Sequence, residues 1–194
     1  MTQRPQMPTP ALVRQYIHKF DEGRDGIIDR ALLDLFRTFP ENTRLNHILF
    51  KVLGLNSLNS TGNIAVTPAA RHIHALDIDA RLAECDPALV NEIALTPVKE
   101  GKTVRFYAFA TKYCSWHAPD DYPIFDGMIG RLISEYQRID KFAFFWKHDL
   151  TADYLRFKQI VDSFRQHYGL TEFSFKDLDK FLWRYGKDYF GKAG

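Results

Sequence analysis

The sequence is poor in cysteine: Cys85 and Cys114 are the two it has in 194 residues. They stand far apart, which excludes a disulfide framework and leads us to expect a reducing, cytoplasmic setting. Long apolar runs are also missing. No stretch approaches the roughly 18 uninterrupted apolar residues of a membrane span, and the opening MTQRPQMPTP lacks the apolar core of a secretory signal. A soluble protein with no membrane partner is expected. There is no CxxC, no internal repeat and no run of like charge. The net charge is only +2, which neither demands nor forbids a polyanionic partner. Its distribution is mildly asymmetric, at −1 over residues 1–100, 0 over 101–130 and +3 over 131–194.

Period-two alternation is almost absent too, and what replaces it sets the fold class. Apolar residues recur at i, i+3, i+4 and i+7 along most of the chain, which predicts an all-α protein. Helices are expected at about 10–21, 28–38, 43–55, 67–84 with a break, 87–95, 102–117, 127–138, 142–148, 151–168 and 175–186. Residues 1–10 read as a flexible tail and 11–194 as one helical domain. Thr96-Pro97 and Gly101 cut a short hairpin between two helices, and NSTGNIAVTP (59–68) is the main polar loop. With 45% hydrophobic residues the chain can bury a core without help. The aromatic run FAFFW (142–146) and the face Leu178, Phe181, Leu182 and Tyr185 are assigned to that core.

Three patterns imitate functional motifs. DEGRDGIIDRALL (21–33) resembles a calcium loop, but Gly23 and Leu32 occupy positions that must supply ligands, so a plain helix–turn–helix connection is expected. His72 and His74 are two apart, which points them to different sides of a helix and away from a shared zinc ion. Cys114 and His117, at i and i+3, share a helix face and raise a nucleophile–base pair, although a buried cysteine acting as a small apolar residue explains Cys114 equally. No metal and no cofactor is expected.

FATKYCSWHAPDDYPIFD (109–126) is the stretch richest in chemistry. Small residues Ala108, Ala110, Thr111 and Ser115 let another helix approach, which should bury the element carrying Lys112. Such a lysine serves in an ion pair or as a desolvated amine. Pro119 and Pro123 then enforce an extended connector, and Asp126 stands where a helix begins at GMIGRLISEY. It is expected to cap that helix, with its carboxylate directed by backbone N–H groups and kept ionised by the helix dipole.

The order of a glycine-containing hairpin (VKEGKT, 98–103), a long helix, a proline connector and an aspartate opening the next helix resembles the helix-hairpin-helix DNA glycosylases. FATKYCSWHAPDDYPIFD, KVLGLNSLNSTGNI (51–64) and DLDKFLWRYGK are similar to the bacterial 8-oxoguanine-glycosylase-like branch and to phage-defence glycosylases that remove modified cytosine. The likeness spans roughly residues 45–187. It implies a two-lobed helical bundle with a helix-hairpin-helix element and an interlobe cleft, with the hairpin and the catalytic aspartate at about 96–140. Asp126 is then the catalytic carboxylate and Lys112 its partner. Trp116, His117, Tyr122 and Asn56 would contact a flipped base, with Asn59 beside them, and Lys99, Gly101, Lys102 and Thr103 would hold DNA phosphate. The chain departs from the family in having one hairpin glycine and no lysine at the nucleophile's place. That implies a monofunctional enzyme leaving an abasic site, acting on duplex DNA with a modified or damaged base and needing no obligate protein partner. Two other readings stay open: a non-catalytic helical nucleic-acid- or partner-binding module, and a hydrolase using Cys114 and His117.

Overall fold

The computed structural model describes residues 4–58 and 64–191. The fold is helical throughout apart from one two-stranded antiparallel sheet among the described residues. The chain divides into two compact units, one made of both ends (residues 1–26 and 123–194) and one of the continuous middle (residues 27–122).

The end-derived unit begins with α1 (Pro10–Asp21) and the first turn of α2 (Arg24–Thr38). It continues through α8 (Gly127–Asp140), α9 (Asp149–Ala152), α10 (Tyr154–His167) and α11 (Phe175–Gly191). Thr9 caps α1, its hydroxyl accepting from Leu12 N–H, as expected of threonine ahead of an apolar periodic run. α1 packs on α11 through Tyr16, which meets Phe181 and Tyr185 edge-on at 6.2 and 5.0 Å. Residues 4–10, expected as a flexible tail, are instead docked. The Tyr185 hydroxyl accepts from Gln6 N–H at 2.6 Å and the Tyr136 hydroxyl donates to Gln6 O at 2.7 Å, so the backbone there finds the partners a free tail would lack.

The middle unit holds the rest of α2, then α3 (Leu45–Leu58), α4 (Val66–Leu76), α5 (Asp79–Ala83), α6 (Ala88–Ala94) and α7 (Tyr107–His117). Between α6 and α7 a hairpin forms from β1 (Leu95–Lys99) and β2 (Lys102–Arg105), pairing Leu95 with Arg105 and Thr96 with Val104. A helix over 102–117 was expected, but α7 starts only at Tyr107. Gly101 turns the chain at φ +67°, and β2 then pairs back along β1 before the helix can start. The core of this unit includes Ile48, Val52, Leu55, Ile73, Leu89, Ile93, Phe109 and Tyr113, all buried.

No helix of the described residues is long and apolar enough to cross a membrane. The helix expected at 142–148 is absent. Lys141 adopts φ 49° and ends α8 in a left-handed cap, a conformation no helix can continue through. Two acidic residues of the calcium-loop look-alike are taken up by cations of α11, Asp21 by Lys180 at 2.7 Å and Asp25 by Arg184 at 3.6 Å.

One glycine in that segment is fixed by close approach. A Cβ on Gly26 would lie 2.2 Å from the backbone oxygen of Asp21, and backbone cannot step aside as a flexible side chain does. Gly26→Ala is expected to destabilise the protein by about 1–3 kcal/mol, whereas Gly191→Ala, where a Cβ meets nothing within 4 Å, changes stability little. Urea denaturation of the two variants beside the parent chain checks this, and equal midpoints would refute it.

Candidate functional site

The segment from α7 into α8 is built as a supported turn. Within the middle unit, the Tyr122 hydroxyl donates to Asp86 O at 3.1 Å. Within the end-derived unit, the Tyr154 hydroxyl donates to Pro123 O at 2.9 Å and Phe125 meets Phe157 edge-on at 5.5 Å. Phe125 also lies over Gly130, where an added Cβ would sit 3.0 Å from its ring. The entry angle of α8 is thereby set. Asp126 follows in extended backbone, φ −138° and ψ 151°, and its Oδ1 accepts from Met128 N–H at 2.7 Å. It is the N-cap expected of it, half-buried, with its carboxylate aimed by backbone at the positive end of a 14-residue helix.

Lys112 lies on α7 and is 5% exposed. The expectation that its helix is buried holds: from Phe109 to Trp116 every residue of α7 is buried. Asn56 is half-buried on α3, and Asn59 lies outside the described residues.

The aromatic residues expected to contact a base take other roles. Tyr122 is fully buried, and burial pushes its hydroxyl pKa up. Trp116 is 4% exposed, close to Phe36 in the core. Both belong to the framework: Trp116 through the burial of α7 on all sides, and Tyr122 through the hydrogen bond its hydroxyl donates to Asp86 O. Cys114 is fully buried and its thiol is pushed well above the ordinary range by desolvation. It therefore supplies no thiolate, and the cysteine hydrolase reading is dropped.

His117 belongs to a buried polar network that sequence reasoning missed. Lys51, on α3 and without solvent exposure, places its Nζ 3.0 Å from Phe39 O, 3.1 Å from Glu41 O, 2.7 Å from Asn42 Oδ1 and 3.2 Å from His117 Nε2. The Tyr113 hydroxyl also donates to Asn42 Oδ1, at 2.6 Å. Asp79 accepts from both Asn42 N–H and Asn42 Nδ2, at 2.8 and 2.6 Å. Burial and the neighbouring ammonium push His117 down to about 3, so it is neutral and its Nε2 accepts from Lys51. Burial lowers Lys51 to about 8, with Asp79 opposing. The signal for Lys51 was present: it stands between Ile48 and Leu55, beside Val52, at helical spacing on an apolar face.

The residues expected to hold phosphate are exposed together on the hairpin: Lys99, Gly101, Lys102 and Thr103. They do not form a helix N-terminus, since α7 begins six residues beyond Gly101. An open groove of about 630 Å³ runs beside them, lined by Thr67, Arg71 and His72 of α4 as well as Lys99 and Gly101. Among the described residues no carboxylate forms an ion pair with Arg71, Lys99 or Lys102; Glu100 also lines the groove, so its cations Arg71 and Lys99 outnumber its carboxylate by one. Among the same residues no three His, Cys, Asp or Glu side chains converge as a metal site.

A family model described as an N-terminal domain, HI_0787_N, matches residues 12–121. An uncharacterized protein of Haemophilus influenzae is 34% identical over 154 residues, which is 79% of this chain and 73% of that protein. No solved structure matches.

Two measurements test the Lys51 network. Lys51→Met keeps the volume and strands its acceptors, and is expected to cost roughly 3–5 kcal/mol in urea unfolding; a loss below 1 kcal/mol would mean the acceptors are satisfied otherwise. His117 is protonated below about 6.5 in the unfolded chain but only near 3 in the fold. Unfolding therefore takes up a proton in that window, and stability falls as pH drops from 6.5 toward 3, with a contribution near 1.4 kcal/mol per pH unit. His117→Gln should flatten that part of the profile.

Proposed function

We propose that this chain, which belongs to the HI_0787_N N-terminal-domain family, is a DNA glycosylase that releases a modified or damaged base and leaves an abasic site. The observation that carries this reading is the directed, half-buried carboxylate of Asp126, held by Met128 N–H after a connector fixed through Pro123 and Phe125. Cleavage of an N-glycosidic bond builds positive charge on the deoxyribose as the base departs, and catalysis requires a negative charge already in place. At about 4 Å and an effective dielectric near 20, such an ion pair is worth on the order of 4 kcal/mol, roughly a thousandfold in rate. The same carboxylate serves as base toward the attacking water.

The target base must leave the stack before it reaches a pocket, so the enzyme has to grip the strand. The cations Arg71, Lys99 and Lys102, with Gly101 and Thr103 at the turn, suit phosphate. Lys112 is assigned a positioning role, because the chain has no lysine at the place where the lysine-using glycosylases carry their nucleophile. The substrate is a modified cytosine or 8-oxoguanine, the two classes implied by the sequence likeness. A non-catalytic nucleic-acid-binding module is the second reading, favoured by the excess of cations over carboxylate in the same groove.

Mass spectrometry of bases freed from DNA containing damaged, normal and hypermodified bases separates the two. Asp126→Asn, which keeps an acceptor for Met128 N–H, is expected to lower release at least about a hundredfold while DNA binding persists. Salt-sensitive binding with no base released from any substrate would establish the binding module instead.

A further inference from the structure

The segment KFAFFWKH, residues 141–148, joins α8 to α9 and divides its aromatic residues between two roles. Phe142 and Phe145 face inward: Phe142 meets Phe164 edge-on at 5.5 Å, and Phe145 is 8% exposed. Phe144 and Trp146, by contrast, are 81% and 65% exposed, with ring centroids 6.3 Å apart. The run was expected to be core throughout, and half of it is not.

This exposure is not the looseness of an unsupported loop. Gln137 clamps Ala143 from both ends of its amide, accepting from Ala143 N–H at 3.0 Å and donating to Ala143 O. The Arg156 guanidinium donates to Phe144 O, and Asp149 accepts from Trp146 N–H at 2.8 Å. The backbone of each outward residue is thus tied down while its ring stands in solvent. A shallow pocket of about 490 Å³ opens beside the rings, lined in part by Arg138 and Lys141.

The charges around the rings indicate what the platform receives. Glu135 is engaged by Arg138, Asp140 by Arg4 and the Tyr168 hydroxyl, and Asp149 by His148 as well as Trp146 N–H. Lys141 and Lys147 have no carboxylate partner among the described residues. Two solvent-facing rings bracketed by uncompensated cations match a ligand that alternates flat apolar faces with negative charge. Interfacial membrane anchoring buries the apolar face of an amphipathic helix, and residues 141–148 form no helix.

We propose that residues 141–148 form a stacking platform for the unpaired bases of a DNA strand, Phe144 and Trp146 receiving base faces while Lys141 and Lys147 meet the adjoining phosphates. The inference goes beyond the glycosylase reading. It concerns the unit made from the chain ends, draws on no residue assigned to catalysis or to the hairpin, and requires no bond to break.

The test is fluorescence anisotropy of the full chain with a labelled 12-nucleotide single strand, a paired duplex, and a duplex with a three-nucleotide bulge. Single-stranded and bulged DNA are expected to bind more tightly than paired DNA. Phe144→Ala and Trp146→Ala should each weaken that preference at least about fivefold, while Trp146→Phe keeps most of it. Replacing Lys141 and Lys147 together by glutamate should reduce the slope of log affinity against log salt by about 1.4. The strand assay needs no base release, so its outcome stays separable from that of the glycosylase test. Because both rings are exposed, the alanine variants should keep the parent melting temperature. Parent-like strand binding by both alanine variants would overturn the proposal. So would finding that they abolish binding to phosphatidylserine vesicles, or self-association, while leaving the strand assay unmoved.

Discussion

A charged nitrogen enclosed by protein has to be surrounded by acceptors, and the middle unit is arranged to meet that requirement for Lys51. Its ammonium gathers two carbonyls beyond the end of α2, the Asn42 side chain and a ring nitrogen at the end of α7. Through Asn42 the same point reaches Tyr113 on α7 and Asp79 on α5. Helices α2, α3, α5 and α7 therefore share one polar centre inside an otherwise apolar core. Apolar contacts tolerate sliding, whereas directed hydrogen bonds specify one arrangement.

That centre explains why the chemistry-rich stretch separated as it did. His117 looked available beside Cys114, yet its nitrogen is committed to Lys51 and its neutrality is enforced by the ammonium it serves. Tyr122 and Trp116 pack into the same interior, and Cys114 is sealed within it. Asp126 differs in that backbone directs it: Met128 N–H donates to its Oδ1 at 2.7 Å at the start of α8.

Much of this was legible from local pattern. α1 lies where its periodicity placed it, and Asp126 was readable as a cap because two prolines precede it and an apolar period follows. What failed needed information from far along the chain. The docking of Gln6 depends on Tyr136 and Tyr185, which no window around residue 6 contains. β2 was mistaken for the start of a helix because its four residues give too short a period to distinguish. The Phe144 and Trp146 rings defied the rule that aromatic clusters are core, since composition cannot tell inward from outward once a left-handed cap has redirected the backbone at Lys141.

The two units differ in how the chain supplies them. Ile27–Tyr122 emerges from the ribosome as one uninterrupted stretch and has all its parts once Tyr122 is clear. Helix α1 is made before the middle unit, yet it packs on α11, which follows that unit. At about 5–20 residues per second, Tyr16 and Phe20 wait roughly ten to thirty seconds for Phe181, Trp183 and Tyr185. Throughout that interval the apolar side of α1 has no permanent cover, and the nascent chain depends on the amphipathic helix staying solvated or being shielded until its far end arrives.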